Sequence, residues 1–234
     1  MKESEPPIAG PESARRLIVV AVGWVLLSGA PAFAIAFMSG LTNQLEIPPT
    51  LSRLLTTVGA YGSAIVLLCA ASIGGRIVGG GDRRLGLGIA PIARIPAIIW
   101  LSTVLLVYAA LIDFAIYKYR PDLFVQSTSV WLTLFDGLEV IVLAPLAEEL
   151  LFRGWLWTGL RKHWGALPTG LMTAVMWLVP HLPSGVLLLL FPAIILTVAR
   201  QIGKSVLATI PIHAIYNLTV SIPEIVSYFK LFKN

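Results

Sequence analysis

The chain has 234 residues, 57% of them hydrophobic and 12% charged, with a formal net charge of +5. A soluble domain carries about 25% charged residues, so this balance excludes an ordinary soluble globule and points to a membrane protein. The apolar runs are continuous instead of alternating, which argues against a transmembrane β-barrel.

The positive charge reads as membrane topology, because no basic patch is interleaved with aromatics in the manner of a nucleic-acid surface. The single cysteine, Cys69, rules out an internal disulfide and a Cys-based metal site. In an apolar span it reads as a small buried hydrophobe.

In chain order, residues 1–14 are polar and proline-rich and read as a disordered tail. Residues 17–38 are too long for the apolar region of a signal peptide and form a first transmembrane helix. Residues 54–73 form a second. The loop GGRIVGGGDRRLGLGIAPIAR follows and reads as cytoplasmic. Its glycines Gly79 to Gly81 make no phosphate loop, since no Gly-Lys-Ser/Thr follows them. A third span covers 95–117. The segment KYRPDLFVQSTS then leads to a helix start near Ser129.

Residues 130–160 keep a helical pattern with Pro145 inside it, where a kink is expected. Shorter apolar stretches cover 166–179, 186–198 and 205–222, and residues 223–234 read as an amphipathic interfacial tail. The expected fold is all-α: a multi-pass helical bundle of about seven transmembrane helices. Residues 15–129 supply the N-terminal helices and basic loop, and 130–222 the helices that carry chemistry. With the N-terminus in the cytoplasm, eleven basic residues, Arg200 among them, lie inside against five, Arg53 among them, outside.

The chemistry concentrates in LAPLAEELLFRGWL, residues 143–156. An ionised side chain at mid-membrane costs ~2.5–3.5 kcal/mol, so Glu148, Glu149 and Arg153 require partners. Glu149 and Arg153 stand i,i+4 with the acid first, the better order for a helical ion pair. Glu148 lies about 100° round the helix, with Phe152 at its own i+4 position, and needs a partner on another helix or water. His213 and Asn217 share a helix face, which suggests a common polar target. His181 ends a short apolar span, between Pro180 and Pro183. His163 reads as an interface or helix-capping residue. Asp113 is expected near an outer interface; Asp136 and Glu139 are expected at an interface, or alternatively line the same cavity as Glu148.

A carboxylate beside a histidine can take a proton from water, and a second His with an Asn amide can stabilise an oxyanion. No serine or cysteine has a nucleophile's surroundings, and the HExxH motif of zinc proteases is absent.

The residues Glu148-Glu149-Leu-Leu-Phe-Arg153 resemble the EExxxR motif of the CPBP superfamily, which comprises CAAX prenyl endopeptidases, bacteriocin-processing proteins and Abi-type membrane proteins. The superfamily's Phe-xxx-His motif is matched by Trp177-Leu-Val-Pro-His181, with Trp in place of Phe. Its His-xxx-Asn motif is matched by His213-Ala-Ile-Tyr-Asn217.

The resemblance implies an intramembrane endopeptidase in which Glu148 activates water with help from His181, while His213 and Asn217 hold the oxyanion. Glu149, Arg153 and Trp177 would support the cavity. It leaves open a divalent metal such as zinc at Glu148, His181, His213 and Asn217, beside a metal-free, glutamate-driven mechanism. It also implies a peptide or lipid-anchored protein substrate, CaaX-type only by analogy, contact with membrane lipids, no nucleic acid, and a prokaryotic plasma membrane. Two rivals remain: a non-catalytic immunity or adaptor protein, and a small proton-coupled transporter. Against transport, no repeated halves with interrupted helices are found.

Overall fold

The structure is a computed structural model and describes residues 11–41, 49–77, 87–119, 130–182 and 186–231. The described residues form seven helices and no strand. They are α1 (Pro11–Leu41), α2 (Pro49–Ile77), α3 (Ile95–Tyr119), α4 (residues 130–160), α5 (Ala166–Leu178), α6 (Val186–Gly203) and α7 (Thr209–Leu231). Five stretches are long and apolar enough to cross a bilayer: Glu12–Ala30, Arg53–Gly74, Ile92–Ile116, Val186–Gly203 and Val206–Pro223. The other two helices fall short of that measure. α5 has 13 residues, and α4 carries Asp136, Glu139, Glu148, Glu149 and Arg153 along its length.

Several boundaries differ from expectation. α1 begins at Pro11, so residues 11–14 are helical and only 1–10 of the expected tail lie outside the described residues. Proline at the first position suits a helix, because its missing N–H would be unpaired there anyway. α7 continues through Pro223 to Leu231, where an interfacial tail was expected. Residues 78–86 of the glycine-rich loop, residues 120–129 and Pro183 lie outside the described residues. Cys69 is exposed on the surface of α2, not buried.

α4 does not break at Pro145. It widens twice to π spacing, over Glu139–Leu143 and over Glu149–Leu156, with a short α segment, Ala144–Glu148, between them. Such π segments interrupt the α spacing without ending the helix. α4 is the centre of the main apolar core. Leu151, Phe152, Trp155 and Leu156 are all but fully buried against Ala70 and Ala71 of α2 and Met176 and Trp177 of α5.

Gly74 lets α2 come close to α4 at this point. A Cβ there would stand 2.5 Å from the indole nitrogen of Trp155. A second core joins α3, α6 and α7 through Leu105, Ala109, Leu196, Ile212 and Tyr216.

Polar ties fix the outer helices. Arg53 on α2 reaches Asp136 on α4 with both Nε and Nη2 at 2.7 Å, and the Thr57 hydroxyl donates to the other oxygen of the same carboxylate. This settles Asp136 as a structural partner of α2. Ser63 on α2 donates to the carbonyl of Ser28 on α1 at 2.6 Å.

Candidate active site

The second π segment places Glu149, Arg153 and the apolar core residues on the inner side of α4. Glu149 and Arg153 are completely buried and paired, with Nη1 of Arg153 2.9 Å from Oε1 of Glu149. Nδ1 of His213, from α7, lies 3.0 Å from that same oxygen. A carboxylate accepts, so Nδ1 carries the proton and donates to Glu149. This fixes the ring and leaves Nε2 facing the other glutamate, 4.0 Å from Oε2 of Glu148.

Glu148 finds its partners on other helices, as its position on α4 demands. The indole Nε1 of Trp177 on α5 donates to Oε2 of Glu148 at 2.5 Å. Trp177 was read from the sequence only as an aromatic wall; its N–H gives it a polar task that phenylalanine cannot perform. Its ring also packs against three site residues: the ring centroids of His181 and His213 lie at 5.0 and 5.5 Å, and the guanidinium of Arg153 at 5.0 Å. A buried cation over an indole face is attracted by the ring quadrupole.

α5 stops at Leu178 because Pro180 follows, and a tight turn, Val179–His181, ends it at the histidine. Nδ1 of His181 lies 3.0 Å from the carbonyl of Trp177. The bond to its own helix end holds the ring in the wall of a cavity of about 600 Å³. The cavity wall contains Glu148, Phe152, Trp177 and His181 on one side. Ser28 and Gly29 of α1 and Ser63 of α2 lie on the other. The motif-free N-terminal helices thus supply half of the chamber that Glu148 faces.

Not every expected residue converges. His213 stands beside Glu148 and behind it. Asn217 does not share a target with His213: its amide donates to the backbone carbonyl of Val140 at 2.7 Å. His163 is half-buried at the end of α4, away from this group, where Arg161 donates to the carbonyl of Trp164.

A metal fits this arrangement poorly. Among the described residues no three His, Cys, Asp or Glu side chains are grouped to hold one. The Asn217 amide is turned toward Val140.

One buried residue was missed from the sequence. Arg200 on α6 was counted among the basic residues of an inner loop. It is 6% exposed, donates from Nε to the carbonyl of Arg153 at 2.8 Å and stacks over the ring of Trp157. The available signal was its place at the end of an apolar run, where a long arginine stem can bury along a helix.

Residues 128–219 match the family model described as Rce1-like, type II CAAX prenyl endopeptidase Rce1-like. That segment, under half of the chain, is what the match covers, and there the sequence is similar to the family. The three motifs all lie within it, and so do α4 to α7 up to the level of Asn217. No curated protein and no solved structure matches the chain. The five apolar spans and the Rce1-like match together support a membrane protein. Glu148 then occupies the one position of its paired glutamates that reaches the cavity, while Glu149 is sealed behind it.

Proposed function

We propose that the chain is an intramembrane endopeptidase that hydrolyses a peptide bond with water activated by Glu148. The observation that carries this reading is the division of labour between the adjacent glutamates. Glu149 is fully buried and tied to Arg153 and His213, whereas Glu148 is 17% exposed, held by Trp177 and set in the cavity wall with His181. A purely structural ion-pair network would need only the first of them.

In this mechanism Glu148 takes a proton from water as the oxygen attacks the substrate carbonyl carbon. His181 lines the same chamber and orients the water. Nε2 of His213 faces Glu148 from behind and supports that carboxylate as it takes up and gives back the proton, with Glu149 holding the ring through Nδ1. The proton on Glu148 then passes to the leaving nitrogen as the C–N bond breaks. The Rce1-like match supports a protein substrate processed in the membrane; by analogy we take that substrate to carry a lipid-modified cysteine near its C-terminus.

The test is purified protein in detergent with a peptide bearing a prenylated cysteine near its C-terminus, beside the same peptide without lipid. Cleavage of the lipidated peptide by wild type, and none by Glu148→Gln, is the expected result. Equal cleavage by both proteins sinks the mechanism.

A further inference from the structure

Gly29 lines the chamber from α1, on the wall opposite Glu148 and His181. A Cβ built there would meet no atom within 4 Å among the described residues. Two glycines elsewhere are different, because packing requires them. A Cβ at Gly74 would stand 2.5 Å from Trp155, and one at Gly170 would stand 2.8 Å from Thr197. A glycine inside a helix destabilises it relative to alanine, and at Gly29 no described side chain uses the space gained. That space belongs to the chamber.

The wall around Gly29 is small and apolar, with Val25 and Leu67 beside it. Its two hydroxyls direct their protons to backbone carbonyls: Ser28 donates to Val25 at 2.7 Å and Ser63 to Ser28 at 2.6 Å. The second bond ties α1 to α2 and fixes Gly29 at the level of the chamber. The polar chemistry lies on the facing wall, with the Glu148 carboxylate held by Trp177 and the His181 ring beside it. A peptide between the two walls would turn its reacting carbonyl toward Glu148 and a neighbouring side chain toward α1. A polar side chain would find no free donor there, so the wall suits an apolar one.

We propose that Gly29 is a specificity-determining residue: the volume left by its missing side chain receives a bulky apolar side chain of the substrate, next to the scissile bond. The inference rests on the reading of this chamber as the place where Glu148 meets the peptide bond.

Two prenylated peptides test it, with leucine or with alanine at both positions after the cysteine. kcat and KM are measured on each for wild type and Gly29→Leu in detergent. Gly23→Leu is the control, since Gly23 is equally open among the described residues but is not part of the chamber wall. Wild type is expected to prefer the leucine peptide. Gly29→Leu is expected to reduce that preference by about tenfold or more, mostly through KM, with a melting midpoint within about 3 °C of wild type. Gly23→Leu is expected to keep the wild-type preference. Gly29→Ala should move the preference the same way by about threefold, and it decides the matter if Gly29→Leu does not fold. A preference unchanged by filling Gly29, or shifted equally by Gly23→Leu, would overturn the proposal.

Binding separates this inference from the mechanism. The same peptides, fluorescently labelled, are titrated by anisotropy against Glu148→Gln with and without Gly29→Leu. Binding of the leucine peptide weakened by about tenfold supports the proposal even if wild type cleaves neither peptide, in which case the Glu148 mechanism alone fails. Equal binding by the two proteins, or none by either, overturns it.

Discussion

Glu149→Gln probes the buried pair that supports the site. The amide keeps an acceptor oxygen for Nη1 of Arg153 and Nδ1 of His213, now 2.9 and 3.0 Å from Oε1 of Glu149. What it removes is the negative charge beside a guanidinium with no solvent exposure. Breaking a buried pair by removing one partner costs about 3–5 kcal/mol, because the other charge stays behind. The Trp177 ring, 5.0 Å from the guanidinium, is already in place in wild type, so it does not offset that loss. For a chain of this size 1 kcal/mol moves the midpoint by about 2–4 °C, so a fall on the order of 10 °C is expected. The assay is thermal melting in detergent of wild type, Glu149→Gln, Arg153→Met and the double variant. Removing both charges relieves the orphan, so the double variant should melt above either single one. Single variants within about 3 °C of wild type, or a double variant lower by the sum of the two, would refute the reasoning.

Two further outcomes follow from the geometry. Trp177→Phe keeps an aromatic ring but loses the N–H that holds Oε2 of Glu148. It should lower kcat by roughly tenfold with little change in KM, and an unchanged kcat would show that the indole does not position the carboxylate. Gly74→Val drives a side chain into the ring of Trp155, which is 1% exposed and has no room to move. A loss of about 1–3 kcal/mol is expected from such overpacking, read as a lower melting midpoint; an unchanged midpoint would mean that α2 and α4 are not in close contact there.

Much of the site was legible from one stretch of sequence, because charge in an apolar run is expensive and must be explained. The i,i+4 spacing of Glu149 and Arg153 predicted their ion pair, and the apolar i+4 neighbour of Glu148 predicted a partner from another helix. Helix periodicity likewise gave the seven helices. Other features left no trace in pattern. The π segments of α4 left no mark that the apolar pattern was read for, and Pro145 stood in the sequence as the only irregularity of that helix. The target of Asn217 is a backbone carbonyl, and backbone groups carry no sequence signal. Trp177 counted as apolar bulk, although an indole offers a donor at one edge. Arg200 lay near a helix end, where charge usually means solvent, and only packing against Trp157 and the Arg153 carbonyl shows otherwise. Cys69 was read by composition alone, which cannot tell the inner face of a membrane helix from its exposed face.

The most direct test of Glu148 as the water-activating group uses the membrane itself. Wild type and Glu148→Gln, matched for expression and melting midpoint, are compared by mass-spectrometric mapping of protein termini in the same membranes. New termini with wild type, absent with Glu148→Gln, are the expected result and would identify a substrate. Identical termini from two folded proteins would contradict the peptidase mechanism and leave the charged cluster as a support for the bundle.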